Sequence, residues 1–168
     1  MKRVLAVDWG TRRVGLALSD ELGLTAQPLP PLLLPEGQDP AHAPAYLARA
    51  LLPLLDAHEV ERIVLGLPLE LSGVRGDAAR AVDALADALG ARTPVPVELW
   101  DERFTSALAE QSLREEGGSS SRRKGGGRER ARAHTSPEKA RVDQRAALLL
   151  LQSWLDAHPA RREGGGAA

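Results

Sequence analysis

The chain has 168 residues, a formal net charge of -1, 43% apolar and 27% charged residues, and no cysteine. This fits a single globular domain with a real core, argues against an indiscriminate polycation, and excludes disulfides, thiolate nucleophiles and Cys-held zinc or iron–sulfur centres. The apolar runs at 32–34 and 148–151 are far short of the roughly 20 residues of a membrane span, and Asp8 and Gly10 interrupt any signal-like run, so the expected compartment is the cytoplasm.

The first element is Val4-Leu5-Ala6-Val7, a short buried strand that runs straight into Asp8. Gly10 and Gly15 bracket a turn, and residues 14–18 read as a returning strand. Residues 23–35 are apolar but carry Pro28, Pro30, Pro31 and Pro35, which confines them to an edge strand or an extended arm. Residues 40–58 have helical spacing, with Pro53 an awkward interior feature. Residues 61–66 form another buried strand ending on glycine, and residues 67–74 a loop. Residues 76–90 form a helix for which Gly90 is a plausible C-cap. Residues 95–100 are a third buried strand, delivering Asp101-Glu102-Arg103, and residues 105–116 a further helix.

Residues 117–137 change character, with five glycines, a serine run and Arg122, Arg123, Lys124, Arg128, Arg130 and Arg132. Such a composition cannot bury enough apolar surface to order itself, and a mobile basic loop is expected. Residues 139–158 form a last helix with Ala146, Ala147, Leu149, Leu150 and Trp154 facing inward, and residues 161–168 a disordered tail. Residues 1–160 then form one α/β domain, a mixed sheet covered by helices: antiparallel strands first, helix–strand alternation after.

Acidic residues recur at the ends of these elements: Asp8 after one strand, Asp101 and Glu102 after another, and Asp143 at the start of the inward face of the last helix. Carboxylates on one rim, without cysteine or clustered histidine, suit a hard divalent cation. Two such ions about 3.5–4 Å apart would clamp the attacking and leaving oxygens of a phosphodiester. Consecutive strand residues face opposite ways, so only one of Asp101 and Glu102 is expected in the cleft, and spacing does not say which.

Plainer roles compete. Asp8 could accept N–H bonds in the Gly10 turn. Asp101 could pair with Arg103 or cap the helix near Thr105. Asp143 could pair with Arg141 or Lys139, and the basic loop could be a solvated linker. Gly10 and Gly15 have Walker A spacing, but Leu16-Ala17 replaces the required Lys-Ser/Thr. His42, His58, His134 and His158 are scattered, His134 being the best placed to swing towards Asp143, and Trp9 and Trp100 suit packing better than base stacking.

The stretch 8–17 (DWGTRRVGLA), Gly66-Leu67-Pro68-Leu69 with Ser72-Gly73, the stretch 101–106 (DERFTS) and the stretch 142–147 (VDQRAA) together resemble the YqgF/RuvX family, in order and over nearly the whole chain. The resemblance implies an RNase H-like mixed sheet, with three antiparallel strands followed by parallel ones. It also implies a cytoplasmic nuclease dependent on Mg²⁺ or Mn²⁺ that matures the 5′ end of pre-16S rRNA, some members being credited with cutting branched DNA. Carried onto this chain, the catalytic and metal-holding acids are Asp8, Glu102 and Asp143, which decides for Glu102 over Asp101. Residues 66–73 would line the cleft. Glu70-Leu71-Ser72 departs from the usual Asn-Met-Asp, and the 117–137 loop is longer and richer in glycine than usual.

The function expected is metal-dependent cleavage of structured precursor rRNA, with Arg122, Arg123, Lys124 and Arg128 on backbone phosphates. A Holliday junction resolvase on four-way DNA is the nearest alternative, and the chain could act as a monomer or a homodimer. An actin-like or sugar-kinase-like ATPase shares the Asp8-x-Gly10-Thr11 pattern but needs two such domains. A non-catalytic RNA-binding module is disfavoured by acids at all three family positions.

Overall fold

Apolar residues run along both faces of β1 (Arg3–Trp9), and Val4, Leu5, Ala6 and Val7 are all buried, which puts this strand in the middle of the sheet. The computed structural model describes residues 3–69, 72–103 and 137–159, and for residues 137–143 the helical backbone alone. After β1 come β2 (Arg13–Ser19), β3 (Ala26–Leu33), α1 (Ala43–Ala57), β4 (Val60–Leu67), α2 (Asp77–Gly90), β5 (Val97–Asp101) and α3 (Pro137–Ala157). The sheet order is β3-β2-β1-β4-β5. β1, β2 and β3 are antiparallel neighbours, while β4 and β5 join in parallel after helical crossovers. This is the mixed sheet expected from the order of elements.

Alternation sorts the two faces. Leu5 and Val7 of β1 pack with Leu16, Ile63 and Leu65 against Leu47 and Leu51 of α1 and Val82 and Leu85 of α2. Val4 and Ala6 face the other way, with Ala17 and Val64, against Ala147, Leu150, Leu151, Trp154 and Leu155 of α3. Every buried leucine contributes about 1.5–3 kcal/mol, so either layer is worth far more than any single polar contact.

The turn after β1 is tight. A Cβ at Gly10 would lie 2.2 Å from the Arg13 carbonyl oxygen, so only glycine fits there. The proline-rich segment is an edge strand, β3, paired with β2 alone among the described strands. Pro53 sits inside α1 on its exposed side and does not break the helix.

Gly90 proves not to be the cap of α2. It is the last helical residue, and Ala91, at φ -77°, is the cap, donating its N–H to the Asp87 carbonyl at 3.1 Å. The chain turns there without a left-handed residue, so the special freedom of glycine is not used. The expected helix at 105–116, the basic loop at 117–137 up to Ser136 and the tail at 161–168 lie outside the described residues. No helix among the described residues is long and apolar enough to cross a membrane.

The C-terminal end of α3 is pinned to the starts of β4 and β5. The His158 ring stacks on Trp154 with centroids 4.2 Å apart, the Arg62 guanidinium carbon lies 5.9 Å from the centre of the Trp154 ring, and Arg62 Nη1 meets Glu98 Oε2 at 3.1 Å. Trp154→Ala should therefore cost about 3–5 kcal/mol in chemical denaturation, whereas Leu33→Ser on the exposed side of β3 should stay within about 0.5 kcal/mol. Equal effects of the two would contradict this layering.

Candidate functional site

The C-terminal ends of β1, β4 and β5 lie side by side, where the chain leaves β1 towards β2 on one side and leaves β4 towards β5 on the other. In open α/β sheets a cleft forms at such a switch point. Asp8 belongs to the same face of β1 as Val4 and Ala6, and Glu102, just past β5, continues the face of Trp100. Both therefore lie on the α3 side.

Between β1 and β5 runs β4, so the two acids start about 9–10 Å apart by strand spacing. Gly66 closes that distance. It stands beside Trp100 in the register, and a Cβ there would lie 2.6 Å from Glu102 Oε1 and 3.2 Å from Leu150 Cδ2. The missing side chain leaves room for the Glu102 carboxyl group to lie over β4 and reach Asp8. The Glu102 backbone N–H donates to the Leu67 carbonyl at 3.2 Å, which extends the β4–β5 ladder by one bond and fixes where that side chain begins.

Glu102 is half-buried, and its carboxyl is pushed up to about 7, first by burial, then by the negative charge of Asp8, by a hydrogen bond to Asp8, and by the charge of Asp101. Below about 7 Glu102 therefore keeps its proton beside Asp8.

Asp101 has a different role. Its carboxylate accepts Arg103 Nε at 3.0 and 2.9 Å, Arg103 Nη2 at 2.6 Å and the Arg103 backbone N–H at 2.9 Å. These bonds hold it below its ordinary value. This is the plainer role weighed for Asp101, pairing with Arg103. Together with alternation it leaves Glu102 as the acid turned to the cleft. Trp100 anchors the same strand end from the α3 side, donating its indole N–H to Ser153 Oγ at 3.1 Å, and Trp9 packs into the other layer. Both tryptophans are packing residues.

Asp143 belongs to the α3 backbone, one turn before Ala147 in the chain. Its side chain is outside the described residues, as are Arg122, Arg123, Lys124, Arg128 and His134. Among the described residues, no group of three His, Cys, Asp or Glu side chains is placed to hold a metal ion. Asp8 and Glu102 are the pair that the structure brings together. Two half-buried carboxyl groups held against their own repulsion suit a hard, oxygen-loving divalent cation, which would neutralise them both. Of the 66–73 segment, Leu69 and Arg75 form a bridge, and Gly73, at φ +81°, would bring a Cβ to 4.0 Å from Arg103 Nη1, so the loop folds back beside the Asp101–Arg103 pair. The sequence reads Gly66 as the end of a strand and, through the family resemblance, as the start of a cleft-lining segment; that its missing side chain makes room for Glu102 is not among those readings. The signal for its role is that it follows Val64 on the α3 face, where any side chain would meet the acids.

The raised proton affinity of Glu102 has a sign in stability. Between its ordinary 4.5 and about 7 the folded chain holds a proton that the unfolded chain has lost. This contribution is complete below 4.5 and disappears as pH rises through about 7. In metal-free buffer, the thermal midpoint should fall more between about pH 5 and pH 8 for the unsubstituted chain than for Glu102→Gln, whose amide never ionises. Parallel pH profiles for the two would contradict the raised proton affinity of Glu102.

Comparisons with known proteins extend these observations. A profile described as RuvX, Holliday junction resolvase, matches residues 2–157. A protein of Chloroflexus aurantiacus named "Putative pre-16S rRNA nuclease" is 37% identical over 154 residues, spanning 92% of this chain and 86% of the relative. A Myxococcus xanthus protein of the same name is 39% identical over 156 residues, spanning 93% and 89%. Among solved structures, RuvC of T. thermophilus in complex with a Holliday junction substrate aligns with a TM-score of 0.57 at 14% identity, over 96% of this chain and 98% of that one, a likeness of fold. With its whole described structure inside the matched segment but for two residues at the end, and with relatives of this similarity, the chain belongs to the RuvX family.

Proposed function

We propose that this chain is a divalent-metal-dependent endonuclease that hydrolyses phosphodiester bonds in the 5′-end processing of pre-16S rRNA. The observation that carries the reading is the Asp8–Glu102 pair above Gly66, in a chain of the RuvX family. The names of the relatives supply the substrate, and the expected compartment is the cytoplasm.

Asp8, Glu102 and Asp143 would hold two Mg²⁺ or Mn²⁺ ions, which when bound supply an activated water and charge neutralisation at the attacking and leaving oxygens. The chain's own part is positional. Gly66 gives Glu102 its path to Asp8, Arg103 keeps Asp101 out of the cleft, and Trp100 ties the end of β5 to α3. Glu102 must give up its proton to serve as a ligand, so cation affinity rises as pH passes about 7. On this reading residues 1–160 are a single nuclease domain. Arg122, Arg123, Lys124 and Arg128 of the 117–137 loop contact backbone phosphates, giving affinity without sequence reading.

A second reading is favoured by the family description and by the RuvC likeness: resolution of four-way DNA junctions. A resolvase acts on a nearly symmetric substrate, so it would be a twofold dimer making paired nicks. Cleavage rates on precursor rRNA and on a four-way junction, together with the mass in solution, separate the two readings.

With Mg²⁺ and a precursor 16S RNA, Asp8→Asn, Glu102→Gln and Asp143→Asn should each lose at least about 100-fold in cleavage while remaining folded. Undiminished activity in Asp8→Asn or Asp143→Asn would overturn the mechanism. Gly66→Ala should weaken Mn²⁺ binding in calorimetry by about tenfold or more, because a methyl group displaces the Glu102 carboxyl from Asp8.

A further inference from the structure

Most arginines of the described residues are already engaged. Arg3, Arg62, Arg75, Arg80 and Arg103 form ion pairs with carboxylates, and Arg92 donates to the Ala88 carbonyl of its own helix. Arg12, Arg13 and Arg49 make no side-chain hydrogen bond or ion pair among the described residues. Arg49 lies exposed on α1, across the sheet from the acids. Arg12 lies in the turn that follows Asp8, and Arg13 opens β2.

The strand register places Arg13. Ala6 pairs with Ala17, and both face α3; Asp8 pairs with Gly15. Alternation then gives Gly15 and Arg13 the same face as Asp8. Gly15 has no side chain, so Arg13 is the first residue of β2 on that face with anything to offer beside Asp8. The two are diagonal neighbours, about 7–8 Å apart and within reach of a long side chain. Arg13 is half-buried, and its backbone is fixed, because its carbonyl fills the space of the missing Cβ of Gly10 and the Arg12 carbonyl accepts the Leu34 N–H at 3.0 Å. A cation on a fixed backbone position, beside two acids that are engaged with each other, is set up for an anion lying along the rim of the sheet. A guanidinium in that position matches a phosphate in bidentate fashion.

We propose that Arg13 is a phosphate-binding residue of this cleft, gripping a backbone phosphate of the nucleic acid next to the bond presented to Asp8 and Glu102. The inference rests on the nuclease reading given above. Arg13 is a binding residue for the ligand backbone, and its contact is independent of base sequence.

The test is binding of a labelled RNA hairpin and a labelled four-way DNA junction across a series of salt concentrations, in an Asp8→Asn background that suppresses cleavage. Adding Arg13→Ala should weaken binding about tenfold and lower the slope of log affinity against log salt by about 1, the loss of one phosphate contact. Arg13→Lys should keep the slope and recover part of the affinity, and Arg49→Ala should change neither. Circular dichroism and the thermal midpoint check folding, and Arg13→Gln replaces the alanine variant should that one not fold. An effect on RNA alone, or on DNA alone, names the backbone that Arg13 grips. An unchanged slope in a folded Arg13 variant, or the same slope loss in Arg13→Lys, overturns the assignment. Undiminished cleavage by Asp8→Asn itself, or no binding of either nucleic acid by the unsubstituted chain, overturns the nuclease reading and the Arg13 assignment with it.

Discussion

Asp8 and Glu102 meet across β4 because position 66 has no side chain. The contact opposes the physics of its own members, since each acid raises the cost of ionising the other and burial raises it further. A fold pays such a cost where the pair has a use. The rest of the described structure is arranged so that the meeting cannot relax. β1 cannot move outward, because Leu5 and Val7 are held by α1 and α2 and Val4 and Ala6 by α3. β5 is tied at its end by the Trp100 indole N–H to Ser153 of α3 and by the Glu102 N–H to the Leu67 carbonyl of β4.

The division of labour within Asp101-Glu102-Arg103 follows from the same constraint. Three consecutive charged residues at a strand end would ordinarily fray into water. Here one acid is neutralised by its near neighbour, and the other is turned across the sheet. Exchanging the two would put the longer side chain on the α1–α2 side and leave an aspartate to bridge β4, which is too short for the gap set by strand spacing. The identity of the acid at 102 is therefore a matter of reach.

Much of the frame was legible beforehand. Four apolar residues running into Asp8 marked the central strand, the prolines marked β3 as an edge, and helix–strand alternation from residue 40 onward marked the parallel half of the sheet. The choice between Asp101 and Glu102 was not legible from spacing, because alternation needs an origin and the origin is the docking of α3 through Val64, Leu150 and Trp154, residues distant in the chain. Family resemblance carried Glu102 and Asp143 where the residues alone left them open. The resemblance put Gly66 at the cleft, but its particular role was hidden because a glycine at a strand end also reads as the start of a turn, and only the neighbour across the sheet shows what its bareness is for. Gly90 misled in the opposite direction: glycine near a helix end suggests a left-handed cap, yet the helix runs through it.

The proline content of β3 has a consequence for how copies of this chain behave when crowded. Three of its eight residues, Pro28, Pro30 and Pro31, lack the N–H group that a neighbouring strand would need to pair. The margin of the sheet that β3 forms therefore offers a broken row of donors. Another extended segment laid against it would find gaps in place of a ladder, so fibril-like growth has no foothold on that side.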